Sequence, residues 1–228
     1  MRARRVAEAG PAYAIISGAG SAGLTWASVA RELDALVMPM PDAADVPTMA
    51  SMVAPRVAAL PPPRVLAGAS AGGMVALEVA RRVPVHALVV AAAGFGITVS
   101  ESAVDWIARN PPDLHQKLAR LCLADSEDDK RQQILVQDYD ACGQPVHLRQ
   151  IRAIARYRPR PLTDPPPALV LWGMKDRAVP FDDHLELAHR LGAALVPIAG
   201  AAHVPFFEQP EATLRWLRHA GAMAVRPG

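Results

Sequence analysis

The sequence predicts an α/β fold with a mostly parallel central sheet and helices on both faces. Short apolar runs alternate with helix-length segments along most of the 228 residues. Continuous apolar runs are typical of parallel strands because helices cover both faces of such a sheet. The predicted strands lie at residues 13–17, 36–40, 65–69, 87–92, 168–172 and 194–198. Two of them follow a proline triplet, which ends a helix and gives an extended approach to the strand.

Helical patterns fill the intervals between these strands, except that one interval is much longer than the others. Between the strands at 87–92 and 168–172, four helical segments follow one another without a strand: residues 101–109, 113–124, 128–141 and 146–157. We predict that residues 95–160 form a helical cap over the carboxyl edge of the sheet, where α/β proteins bind ligands. Residues 1–94 and 161–228 then form the core of a single domain.

Composition and charge limit the classes of protein to which the chain can belong. The chain is 51% hydrophobic and 20% charged, which is a globular composition, and its formal net charge is only +2. This charge predicts neither a nucleic-acid partner nor a membrane partner. Cys122 and Cys142 form no close pair, so we expect reduced thiols in a cytoplasmic protein. Arg2, Arg4 and Arg5 imitate the start of a secretory signal, but the glycines that follow interrupt its apolar part, and we expect mature protein there.

A sharp turn is predicted at Ser70. The stretch Gly68-Ala69-Ser70-Ala71-Gly72 lies where a predicted strand changes into a predicted helix. Such a turn needs small residues on both sides, and it displays the hydroxyl of its central serine at the end of the sheet. Ser70 is therefore a candidate nucleophile.

A serine nucleophile needs a histidine to accept its proton and a carboxylate to orient that histidine. Asp176 and His203 each follow a later predicted strand, so both would lie at the same edge of the sheet as Ser70. Asp182 or Asp183 could replace Asp176, although either residue is also a suitable cap for the next helix. His184 and His189 lie five residues apart on one helix, which is not the spacing of a metal pair, and no metal site is predicted.

These three loops resemble those of the α/β-hydrolase superfamily. Gly68 to Gly72 is similar to its G-x-S-x-G turn, residues 173–180 to its acid loop, and residues 200–208 to its histidine loop. The resemblance implies Ser70 as nucleophile, His203 as general base and acid, and Asp176 as the orienting carboxylate. It also implies an oxyanion hole formed by backbone N–H groups.

By the same resemblance, these N–H groups belong to Ala19 and Ala71. Ser17-Gly18 stands where the family usually has histidine-glycine, a change that leaves the Ala19 N–H available. The expected function is that of a serine hydrolase, which cleaves a carboxylic ester, thioester or lactone in a small-molecule substrate without a cofactor. Carbon–carbon bond hydrolysis or a lyase reaction on the same fold is an alternative, and noncatalytic ligand binding is another.

The first glycine-rich loop supports a competing interpretation. Gly18-Ala19-Gly20-Ser21-Ala22-Gly23 matches the dinucleotide-binding pattern G-x-G-x-x-G, and Asp42 lies within range for a ribose-binding acid. A dinucleotide-binding oxidoreductase would leave the Ser70 turn and the His203 loop unexplained.

Candidate substrate contacts come from two groups of side chains. Trp26, Phe95, Trp106 and Tyr139 are aromatic residues that could line a pocket, although a place in the core is the favoured interpretation for each of them. Arg149, Arg152 and Arg156 share a helix face, which predicts either a solvated basic surface or a site for an anionic substrate.

Overall fold

A single sheet of six strands runs through the protein. The computed structural model describes residues 10–225, so the expectation for Arg2, Arg4 and Arg5 lies outside the described residues. The strands are β1 (Ala12–Ile16), β2 (Leu36–Met38), β3 (Arg64–Ala69), β4 (Ala87–Ala91), β5 (Ala168–Gly173) and β6 (Ala194–Ile198). Their order across the sheet is β2-β1-β3-β4-β5-β6, and every neighbouring pair is parallel. The predicted parallel sheet is confirmed. β2 ends two residues earlier than predicted, and Pro39, which follows it, has no N–H to continue the ladder.

Helices cover both faces of this sheet, as predicted. They are α1 (Ala27–Leu33), α2 (Val46–Ala58), α3 (Ala71–Ala80), α4 (Glu101–Arg109), α5 (Leu114–Cys122), α6 (Asp129–Cys142), α7 (Gln144–Arg156), α8 (Phe181–Leu191), α9 (Pro205–Glu208) and α10 (Pro210–Val225). α2, α3 and α8 bury apolar side chains against one face, and α1 and α10 against the other.

The strands supply side chains to both cores because successive residues of a strand point to opposite faces. In β1, Ala14 and Ile16 belong to one hydrophobic cluster, whereas Tyr13 and Ile15 belong to the other. Every residue of β4 is buried, since this strand lies between β3 and β5 and has helices above and below. The continuous apolar runs in the sequence therefore correspond to strands that are covered by helices on both faces of the sheet.

The helices α4 to α7, called the inserted helices below, all lie between β4 and β5 in the chain. α5 and α6 contribute buried residues to the cluster that contains Ile15, and α7 contributes Ala153 and Ile154 to the opposite cluster. Side chains of α6 and α7 also bond to the loop that follows β1, at the carboxyl edge of the sheet. The division into residues 1–94, 95–160 and 161–228 remains a prediction.

Two further observations concern the chain as a whole. Within residues 10–225, none of the helices is long and apolar enough to cross a membrane. Cys122 is buried and Cys142 half-buried, and neither forms a disulfide in the described chain.

Candidate active site

Ser70 occupies a strained turn between β3 and α3. Its backbone angles are φ 51° and ψ −124°, a conformation that costs a non-glycine residue energy and persists only where the surroundings enforce it. The close packing of the turn does so. A Cβ atom on Gly68 would lie 2.5 Å from the Gly72 carbonyl oxygen, and one on Gly72 would overlap the carbonyl of Ser17 at the end of β1. The Ser70 N–H also donates to the Ala91 carbonyl at 2.8 Å, which anchors the turn to β4.

Asp176 and His203 are hydrogen-bonded partners. The Nδ1 atom of His203 lies 3.0 Å and 3.2 Å from the two carboxylate oxygens of Asp176. The Asp176 side chain is completely buried, whereas that of His203 is 13% exposed. The N–H groups of Ala178 and Val179 donate to the same carboxylate at 2.8 Å and 3.1 Å. Because an ionised carboxylate only accepts, Nδ1 of His203 carries the proton and Nε2 is left to act as a base.

The charge state of Asp176 follows from opposing effects. Burial alone raises the pKa of its carboxyl group, but the charge and hydrogen bond of His203, together with the two backbone N–H donors, outweigh burial. The net result is a pKa below the ordinary value for aspartate. The carboxylate is therefore ionised at neutral pH and able to orient His203.

The loop that carries His203 is anchored to the inserted helices. The His203 N–H donates to the carbonyl of Cys122 at 3.0 Å. The buried carboxylate of Glu208 accepts from the N–H of Ala202 and from that of Ala124, both at 2.7 Å. Burial raises the pKa of Glu208 in spite of these two bonds. These contacts hold the backbone on both sides of the imidazole.

The two alternative carboxylates lie elsewhere. Asp182 and Asp183 are in the first turn of α8, and the carboxylate that bonds to His203 is that of Asp176. A second histidine, His184, was not anticipated here. Its Nε2 atom lies 3.7 Å from Asp176 Oδ2, and its Nδ1 atom lies 2.9 Å from the Pro180 carbonyl oxygen. Burial lowers the pKa of His184, so the ring is neutral and donates through Nδ1.

Two cavities meet at Ser70. The smaller has a volume of about 50 Å³ and the larger about 400 Å³, and Ser70 and His203 line both. Ala19, Cys122 and Tyr139 also border both cavities. The larger cavity is mainly aliphatic, with side chains from the loop after β4 and from α4, α5 and α7. The inserted helices therefore form much of the space in front of Ser70.

The predicted oxyanion-hole residues border these cavities. Ala19 lines both, and Ala71 lines the larger one. Within residues 10–225, the N–H of neither residue donates to another group of the protein. Each N–H is thus free to bind an oxygen atom of a ligand. The side-chain hydrogen bonds of His203 in the described chain go to Asp176 and not to the Ser70 hydroxyl, and such bonds commonly tighten only when substrate binds.

Of the four aromatic residues that could line a pocket, Tyr139 lines both cavities, whereas Trp26, Phe95 and Trp106 line neither. Trp26 is 1% exposed and stacks on Phe206 in the core, with ring centroids 3.8 Å apart. Phe95 packs against the other core, and the guanidinium of Arg190 lies 5.3 Å from its ring centroid. Trp106 is half-buried on α4. Trp26 and Phe95 therefore fit the core interpretation.

The residues of the dinucleotide interpretation are engaged differently. Asp42 accepts two hydrogen bonds from Arg149, at 2.7 Å and 2.6 Å, in an exposed ion pair. The absence of a side chain at Gly20 makes room for the ring of His147, since an added Cβ would lie 2.8 Å from that ring. In the described part of the chain, no group of three or more His, Cys, Asp or Glu side chains is arranged to hold a metal ion.

Sequence reasoning missed two polar residues of the inserted helices, Asp138 on α6 and Gln150 on α7. Both are buried and both bond to the loop after β1. A signal was present in the sequence, because Asp138 lies between Leu135 and Tyr139 on the apolar side of its helix. A buried polar residue on an apolar helix face needs a hydrogen-bond partner, but the sequence does not show which residue that partner is.

A parallel sheet that presents a strained serine after β3 and an aspartate–histidine pair after β5 and β6 defines the class of α/β hydrolases. The sequence profile described as the alpha/beta hydrolase family matches residues 12–216. The chain belongs to this family and is a hydrolase enzyme. No curated protein matches the chain in sequence.

Solved structures agree with this assignment of the fold. A hydrolase from Oleispira antarctica superposes with a TM-score of 0.83 at 14% identity, covering 94% of this chain and 92% of its own. A thermophilic esterase from Thermogutta terrifontis, with malate bound, gives 0.78 at 20% identity, with 96% and 91% covered. The enol-lactonase from Burkholderia xenovorans gives 0.77 at 16% identity, with 93% and 92% covered. At these identities the likeness concerns the fold.

Proposed function

We propose that this hydrolase cleaves a carboxylic ester, or a related thioester or lactone, through an acyl-enzyme on Ser70. The observation that carries the proposal is the bond of His203 Nδ1 to the buried Asp176 carboxylate, with His203 and Ser70 bordering the same two cavities. Binding alone would require neither an oriented imidazole nor a strained serine. The esterases and the lactonase among the similar structures are consistent with this reaction class.

In the first half of the reaction, the Ser70 hydroxyl attacks the carbonyl carbon while Nε2 of His203 accepts its proton. The negative charge that develops on the carbonyl oxygen is bound by the N–H groups of Ala19 and Ala71. Loss of one such donor costs roughly 10²–10³-fold in rate in a well-studied serine hydrolase. The bond to the leaving group then breaks, and His203 transfers the proton to the departing oxygen or sulfur atom.

In the second half, a water molecule attacks the acyl group on Ser70. His203 accepts a proton from this water, the same two N–H groups bind the oxyanion, and the ester bond to Ser70 breaks. The proton returns to Ser70 and the carboxylic acid leaves. Asp176 remains ionised throughout and stabilises the imidazolium that forms in each half.

The two cavities suggest an asymmetric substrate. About 50 Å³ holds a few water-sized groups, whereas about 400 Å³ holds a much larger one. The lining of the larger cavity by Ile97, Leu118 and Ile154 favours an apolar group. We therefore expect one short group and one longer apolar group on the two sides of the scissile bond. Isomeric pairs such as methyl octanoate and heptyl acetate would tell which cavity takes the acyl group.

The primary test is covalent labelling of Ser70 by a fluorophosphonate, combined with turnover of p-nitrophenyl esters. Ser70→Ala should abolish labelling and lower ester turnover by about 10⁴-fold or more. Ser51→Ala provides a matched control, because Ser51 is exposed on α2. Full labelling or full turnover in Ser70→Ala would refute the proposal. Labelling of the parent protein without ester turnover would instead favour carbon–carbon cleavage.

A further inference from the structure

Two buried polar side chains of the inserted helices hold the loop that follows β1. We propose that Asp138 on α6 and Gln150 on α7 are positioning residues, which fix residues 17–25 so that the Ala19 N–H faces the reacting carbonyl. The inference rests on the proposed function, because it assigns these residues to the oxyanion hole. It gives the inserted helices a part in the chemical step in addition to lining the substrate cavity.

Asp138 accepts hydrogen bonds from three donors of this loop. Its carboxylate accepts from the Ser21 hydroxyl at 2.6 Å, from the Leu24 N–H at 2.9 Å and from the Thr25 hydroxyl at 3.3 Å. The residue is 1% exposed, and none of the ion pairs within residues 10–225 includes it. A buried carboxylate without a cation is stable only when hydrogen bonds replace its hydration. The loop supplies those bonds, so the positions of loop and helix depend on each other.

Gln150 reaches the same loop from α7. Its Oε1 atom accepts from the Gly20 N–H at 2.8 Å, and its Nε2 atom donates to the Met40 carbonyl at 2.6 Å. This orientation of the amide is dictated by its partners, since an N–H only donates and a carbonyl only accepts. Gln150 is completely buried. It therefore ties the loop after β1 to the segment after β2.

His147 restrains the loop from a third direction. Its ring packs so closely on Gly20 that an added Cβ would lie 2.8–2.9 Å from ring atoms, and Gly20 has a φ of 75°. The ring also stacks on Tyr139, with centroids 5.6 Å apart and planes inclined by 15°. Gly20 directly follows Ala19. A fixed N–H at Gly20 fixes the peptide unit between the two residues and so limits rotation of the Ala19 backbone.

The effect of this positioning on kcat and KM depends on the stage of the reaction at which the oxyanion forms. A donor that binds the oxyanion more strongly than the ground-state carbonyl lowers the barrier of the chemical step and changes substrate binding little. Displacement of such a group by about 1 Å can cost on the order of 10²-fold in rate. Loss of Gln150 or Asp138 should therefore reduce kcat and leave KM nearly constant.

The test compares Gln150→Met and Asp138→Asn with Gln132→Met. Gln132 is a buried glutamine of α6 that bonds to Arg120 and to the Ser126 carbonyl, away from this loop. Measured on a p-nitrophenyl ester, kcat should fall about 10- to 100-fold in the first two variants and stay within about twofold in the control. KM should stay within about threefold in all of them.

A second measurement separates positioning from a general loss of structure. The affinity for a trifluoromethyl ketone, which forms an oxyanion adduct with the serine, should fall in parallel with kcat, whereas KM does not. If Gln150→Met does not fold, Ser21→Ala decides, because it removes the shortest bond to Asp138 with little change in volume. A lower kcat in Ser21→Ala supports the inference.

The positioning role would be refuted by an unchanged kcat in Gln150→Met, or by an unchanged kcat in Ser21→Ala if Gln150→Met does not fold. It would also be refuted if kcat fell equally in the control Gln132→Met. Ser70→Ala in the same assay keeps the two proposals apart. If Ser70→Ala retains turnover, the proposed function is wrong. If Ser70→Ala is inactive while Gln150→Met keeps its kcat, only the positioning role is wrong.

Discussion

His147 makes the stability of this protein depend on pH in a way that can be calculated. Its side chain is 3% exposed. Burial, with a smaller contribution from the nearby charge of His115, lowers its pKa from 6.5 to about 4. Because the folded protein takes up this proton at a lower pH than the unfolded chain, the neutral imidazole contributes stability above pH 6.5. That contribution is lost as the pH falls from 6.5 towards 4.

The size of the effect follows from the two pKa values. Between pH 8 and pH 5, linkage predicts that this one group costs about 2 kcal/mol of unfolding free energy. His147→Phe keeps a ring beside Tyr139 and removes the titrating nitrogen atoms. The variant should therefore lose about 2 kcal/mol less than the parent protein over the same interval.

Urea unfolding at pH 8, 7, 6 and 5 and constant ionic strength would measure this difference. His184 is a second buried histidine with a lowered pKa, but it is present in both proteins and cancels in the comparison. His189→Phe is a suitable control, because His189 is exposed on α8, and it should follow the parent protein. If His147→Phe and the parent lose the same stability between pH 8 and pH 5, the reasoning from burial is wrong.

Two further predictions concern the aspartate–histidine pair and the turn at Ser70. Asp176→Asn should lower kcat by about 10³–10⁴-fold in a steady-state ester assay, because the amide no longer holds the His203 tautomer in which Nε2 is free. Activity within tenfold of the parent protein would contradict this prediction. Gly72→Ala should lower the midpoint of thermal unfolding, because the new Cβ would overlap the Ser17 carbonyl. The expected loss of unfolding free energy is about 1–3 kcal/mol or more. Gly10→Ala is its control, because a Cβ there meets nothing within 4 Å, and equal midpoints for the two variants would count against the packing argument.

The sequence by itself determined the class of fold and indicated candidate catalytic residues. Apolar runs between helical patterns indicate strands covered on both faces, and the parallel sheet confirms that inference. Ser70, Asp176 and His203 could be singled out because each follows a strand, and the carboxyl ends of parallel strands meet at one edge. The hydrogen bond between His203 and Asp176 is consistent with that expectation. The inference about the fold succeeds because it depends on local patterns and on the direction of the strands, whereas the catalytic roles of the three residues remain a prediction.

Only the tertiary structure decided which side chains face the cavities and which support the loop after β1. Trp26 is an aromatic residue of the kind that lines pockets, but it is buried in the core and stacks there on Phe206. Asp138 and Gln150 contact that loop across 117 and 130 residues of chain. Helical periodicity shows that a face is buried, whereas the element that covers the face depends on how distant segments pack. For that reason the sequence indicated the serine, and the packed helices defined the space around it.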